Sequence, residues 1–189
     1  FEGYSYPYTK NIPYFPLLTL FDDAFGIKEE DSSETVREKI EKSINSLIQD
    51  GKEVTPYIGT LYSLNYPEIE NVSPEFWKSM LFDAVVEILS ALAQKQPVII
   101  CFEDLHWADP SFLELLHFIV SEVDLPILFL NVARPVIEMF PGDIKDAIKS
   151  DYREIRIEDL SSSDSQVMVQ SLLNSQRIPE ELKDFVETK

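Results

Sequence analysis

Pro97-Val98-Ile99-Ile100-Cys101-Phe102-Glu103-Asp104-Leu105-His106-Trp107-Ala108-Asp109-Pro110 is the stretch on which the fold turns. Five apolar residues, Val98 to Phe102, follow a proline and run straight into two acids. A short apolar run bounded in this way reads as a strand buried on both faces. Asp109-Pro110 then starts a helix, with an N-cap acid followed by proline at the first helical position. Phe112, Leu115, Leu116 and Ile119 are predicted to face inward from it. Pro126 opens a second run, Ile127 to Val132, and Ile155 with Ile157 marks a third strand. Strand, helix, strand, helix, strand predicts an α/β fold: a three-layer parallel sheet with helices on both faces.

Upstream, residues 1–16 are aromatic and studded with proline, which predicts an extended segment with at most a short strand at its start. Leu17 to Phe25 reads as a short helix stopped at Gly26. Val36, Ile40, Ile44, Leu47 and Ile48 follow helical spacing from Ser33 to Ile48, and Gly51 ends the pattern. One short helix is expected within residues 53–72. Ser73-Pro74 caps a longer one that runs to about Gln94, with Trp77, Leu81, Val85, Ile88, Leu89 and Leu92 on one face. Downstream, helices are expected near 143–149, 164–174 and 179–187. We divide the chain into an α/β core, residues 1–158, and the start of a helical segment, 159–189.

The chain of 189 residues is 44% hydrophobic and 12% aromatic, enough for a sizeable core and against wholesale disorder. Its 16 basic and 34 acidic residues give a net charge of −18, which argues against partners such as nucleic acid or an anionic membrane surface. No apolar stretch reaches the roughly 18 residues that span a bilayer. The single cysteine, Cys101, cannot form an internal disulfide and sits in an apolar run, so it reads as a small buried hydrophobe in a reducing, cytoplasmic setting. The start of the chain shows no signal peptide and no initiator Met, and both ends are abrupt, as expected of a piece of something longer.

Ligands of open parallel sheets bind at the carboxyl ends of the strands. Glu103 and Asp104 emerge there. Two acids at that edge can hold a magnesium ion and orient an attacking water, or they can simply solvate the end of the strand. Arg134, after the next apolar run, is suited to clamp a phosphate and equally to pair with a nearby acid. His106 and His117 are the only histidines, and eleven residues apart they fit no zinc pair on a helix.

The run from Val98 to Leu116 resembles the Walker B segment of the STAND signal-transduction ATPases, relatives of the AAA+ proteins within the P-loop NTPases. In that group an apolar strand, two acids, Leu-His-Trp-Ala-Asp and a helix follow one another. The resemblance implies Glu103 as the magnesium-binding acid, with a longer arm than the Asp that many members carry, and Asp104 as the acid that activates water. Asn131-Val132-Ala133-Arg134-Pro135 looks like the sensor-1 position, which makes Arg134 the γ-phosphate contact. The His-Trp pair looks structural or switch-like, and Asp109 caps the next helix. Ile155-Arg156-Ile157 with Leu160-Ser161-Ser162 is similar to the last core strand and the start of the lid.

The phosphate loop G-x-x-x-x-G-K-[ST] is missing. Glycine numbers 5 in the whole chain, against a usual share of about 7%. Gly3, Gly26, Gly51, Gly59 and Gly142 are scattered; Gly51-Lys52 has Ser46 five residues earlier and Glu53 after it. The family places this loop and its strand upstream of residue 1, in the slot between the strands ending near Val132 and Ile157. Another segment or chain is expected to fill that slot, or the last strand to close up against its neighbour. The expected function is part of an ATP-binding and hydrolysing regulatory switch in a multidomain signalling protein. ATP would reach it through the upstream loop, with Mg2+ in the intact parent. The fragment alone is expected to be inactive and to hold neither tightly. Its partners would be other domains of the same parent, a protein partner or a second copy. The alternatives are a protein-interaction module derived from such an ATPase and, more remotely, a magnesium-dependent phosphohydrolase using only the acid pair.

Overall fold

The computed structural model describes residues 1–122, 126–136, 139–148 and 151–174. The chain divides into two units between residues 150 and 151. In the first, strand β1 (Glu2–Tyr4) is followed by helices α1 (Phe15–Phe25), α2 (Ser33–Leu47), α3 (Thr55–Leu61) and α4 (Pro74–Lys95). Strand β2 (Val98–Glu103), helix α5 (Pro110–Glu122), strand β3 (Ile127–Asn131) and helix α6 (Gly142–Ala147) complete it. The second unit contributes helix α7 (Ser162–Leu173) after a stretch without regular secondary structure, 152–160. The predicted helix at 179–187 lies outside the described residues.

The helices start where their capping residues stand. Ser32, Ser73 and Ser161 each accept a backbone N–H three residues on, from Thr35, Phe76 and Asp164, at 3.2 Å. Each removes one orphan donor from a first turn. Gly26 closes α1 in the left-handed region (φ 65°), its N–H donating to Asp22 O.

The three strands form one parallel sheet in the order β1-β2-β3, so the α/β fold is as expected. Gly3 pairs with Phe102, and a Cβ there would meet the Phe102 ring and Pro16 O at 2.6 Å. Only glycine lets the short first strand lie so close to α1 and β2.

The two faces of the sheet differ. Val98, Ile100 and Phe102 are buried, and Phe112 of α5 meets Phe102 edge-on with centroids 4.9 Å apart. Phe21, Ile40, Ile58, Leu81, Ile88 and Leu115 extend this core through α1 to α5. On the opposite face Ile99 is 55% exposed, Leu128 52% and Leu130 45%. Helices were expected there too, and none of the first unit's described helices covers it.

Ile155 and Ile157 are a correction. They form no strand and stand 84% and 93% exposed. Alternating apolar residues make a strand only when a partner completes the ladder, and among the described residues these two pair with none. Within the first unit no described segment adds a strand beyond β3.

Candidate functional site

Glu103 ends the central strand and lies on the open face with Cys101; their register partners on β1 are Tyr4 and Glu2. Its carbonyl accepts the Ser5 N–H at 3.1 Å, and its carboxylate accepts the Cys101 thiol at 3.5 Å. Burial first, and then this bond to Glu103, pushes the Cys101 thiol above its ordinary value. A thiol so held stays protonated, which leaves Cys101 without nucleophilic character. It is half-buried on the open face rather than in the core. The Tyr4 hydroxyl donates to the Glu2 carboxylate, and mainly through that bond its pKa is pushed up to about 12.

Asp104 breaks the strand. Its backbone is left-handed (φ 55°, ψ 37°), a conformation that Asp tolerates through local hydrogen bonding. Its carbonyl accepts Trp107 N–H at 2.8 Å, which closes a 3-10 turn over Leu105–Trp107 and leaves the carboxylate 60% exposed. Glu103 and Asp104 are thus delivered together to the carboxyl edge of the sheet.

Arg134 reaches the same edge by its backbone. Val132 N–H donates to Phe102 O and Leu105 N–H to Val132 O, both at 2.9 Å. Arg134 N–H donates to His106 Nδ1 at 3.4 Å. The Arg134 side chain is exposed and makes no ion pair among the described residues. Asn131, at the end of β3, has a buried side-chain oxygen with no hydrogen-bond partner among them.

Asp109 caps α5 as expected, its Oδ1 accepting Phe112 N–H at 3.0 Å. Its other oxygen accepts Tyr14 N–H at 2.9 Å, 95 residues away in sequence. That bond holds Tyr14, itself left-handed (φ 59°), at the entry to α1. Burial raises the Asp109 pKa, and the backbone donors partly offset this. The cap was legible from Asp-Pro; the bond to Tyr14 was not, because no local pattern announces a partner so distant.

The histidines are occupied. His106 accepts from Arg134, and a His117 ring nitrogen lies 2.8 Å from Met139 O. Among the described residues no three His, Cys, Asp or Glu side chains converge as a metal cage. Two adjacent carboxylates are instead a donor set that fits magnesium, which keeps several waters and takes phosphate oxygens as further ligands. A groove of about 560 Å³ lined by Tyr8, Asp22, Asp31, Val36 and Tyr62 includes none of these residues. Among the described residues no helix is long and apolar enough to cross a membrane.

The acids at the end of the central strand and the loop bonded beside them lie at the carboxyl edge of a parallel sheet, the edge where open α/β sheets bind their ligands. The family model of the AAA ATPase domain matches residues 1–130, and the chain belongs to that family. Glu103 and Asp104 fall within the match; Arg134 falls beyond it. No curated protein and no solved structure matches the chain.

Proposed function

We propose that this domain is the part of an ATP-driven regulatory switch that supplies the Walker B acids and the sensor arginine. The observation that carries the reading is the carboxyl edge of β2, where Glu103 and Asp104 emerge and the Arg134 loop is bonded to their loop through Val132 and His106. Glu103, at the strand end, is the acid that would hold magnesium, whose charge neutralises phosphate oxygens when it is bound. Asp104, more exposed on its turn, orients the attacking water and takes its proton. Arg134 contacts the terminal phosphate with a guanidinium whose planar fork matches phosphate oxygens. The phosphate loop is absent from these 189 residues, so cradle and strand come from elsewhere in a longer parent.

The test is hydrolysis of ATP by a parent chain that carries the loop. Asp104→Asn lowers kcat about 100-fold or more, the scale of a lost general base, with the KM for ATP little changed. Unchanged kcat would overturn the assignment. The 189-residue chain alone is expected to turn over no ATP, and measurable turnover by it would equally count against this reading. A second reading, an interaction module without turnover, is favoured by the open apolar face of Ile99, Leu128, Leu130 and Val132. It predicts a parent whose output is indifferent to Asp104→Asn.

A further inference from the structure

Past Glu103 and Asn131 the two parallel chains cease to be strands yet stay bonded. A parallel ladder has evenly spaced rungs, each chain advancing two residues per rung. The rung from Val132 N–H to Phe102 O is in phase with the strand register. Continued regularly, the ladder would join Asp104 N–H to Val132 O and Arg134 N–H to Asp104 O. The left-handed turn at Asp104 changes both. Leu105 N–H takes Val132 O, one residue late, and Asp104 O is already occupied by Trp107 N–H at 2.8 Å. Arg134 N–H has lost its backbone acceptor, and His106 Nδ1 stands in that place.

We propose that His106 is a positioning residue whose imidazole Nδ1 completes the β2–β3 ladder past the Asp104 turn and fixes the backbone of Arg134 beside the acid pair. The ring is itself held. Its side chain is 3% exposed and packs on Trp107, with ring centroids 5.0 Å apart. An Nδ1 that accepts an N–H carries no proton, so the neutral ring bears its proton on Nε2. Nε2 is buried and finds no hydrogen-bond partner among the described residues, so the polar anchoring of the ring is all on the Nδ1 side. The 3.8 Å approach of Nδ1 to Asp104 Oδ1 is then a lone pair beside a carboxylate rather than an ion pair. The catalytic value of this positioning rests on the reading of Arg134 as the phosphate contact; the hydrogen bond does not.

The experiment uses the 189-residue chain, isotope-labelled, near neutral pH. The His106 ring is expected to show an unprotonated Nδ1 and a protonated Nε2. In His106→Phe, exchange of the Arg134 amide accelerates about five- to tenfold, the factor that one net hydrogen bond carries, while the Val132 amide is unchanged. His106→Asn, whose amide oxygen reaches the Nδ1 position, restores the protection; His106→Gln, which reaches only the Nε2 position, does not. A protonated Nδ1 in the unsubstituted chain overturns the proposal even if His106→Phe fails to fold, and so does Arg134 protection indifferent to the ring. Protection that follows His106 in this way, found alongside unchanged hydrolysis in the Asp104→Asn parent, supports the positioning and overturns only the ATPase assignment.

Discussion

The two faces of β2 carry similar side chains into opposite surroundings. Val98, Ile100 and Phe102 are almost fully buried, while Ile99 between them is 55% exposed and Cys101 half-buried. What separates them is the connection that follows. The Asp104 turn and the Asp109 cap send α5 back along one face only, where Phe112 seats against Phe102. Apolar composition on both faces of a strand shows that each can be buried, and the chain's own crossovers decide which one is.

The largest effect is expected on the closed face. Phe112→Ala empties the contact with Phe102 and should cost about 4 kcal/mol in denaturant unfolding, the range of buried Phe truncations. A cost below about 1 kcal/mol would mean that α5 does not organise this face. Next comes the bond that brings the closed face together. Asp109→Ala removes the α5 cap and orphans the buried Tyr14 N–H, for about 2 kcal/mol. The same substitution alters the pH dependence. A carboxyl held above its ordinary value binds more protons in the native state than in the unfolded one. Its contribution therefore grows as pH falls from neutral through the raised pKa, and fades as pH rises through it. Asp22 shifts in the same direction, chiefly by burial. The unsubstituted protein should thus gain stability on mild acidification, down toward the ordinary carboxylate range, and Asp109→Ala should gain less; melting temperatures across that window decide it. The smallest effect belongs to the open face. Ile99→Thr should shift stability by no more than about 0.5 kcal/mol and reduce self-association in light scattering. A loss comparable to that of Phe112→Ala would show that something covers this face in solution.

The helices were legible because their starts are chemical. Ser73-Pro74 and Asp109-Pro110 set α4 and α5 within a residue or two, and Gly26 stops α1 where its left-handed φ allows. The parallel sheet was legible from the runs at Val98 and Ile127. Ile155 and Ile157 carry the same apolar signal but pair with no strand among the described residues, and a strand is a property of two segments rather than one. At the site, the sequence placed Glu103 and Asp104 at a strand end. It gave no sign that Asp104 turns left-handed or that a histidine ring replaces a carbonyl in the ladder. Both depend on a register with β3 that no spacing within β2 encodes.

The left-handed backbone at Asp104 also limits which side chains the position accepts. Glycine and asparagine fit that conformation at least as well as aspartate, whereas alanine loses about 1 kcal/mol there and β-branched residues more. Drift at this position is therefore channelled: the changes that best preserve the turn, to glycine or asparagine, both abolish the charge. The chain can lose its acid here while keeping its shape, and a switched-off relative could look structurally intact.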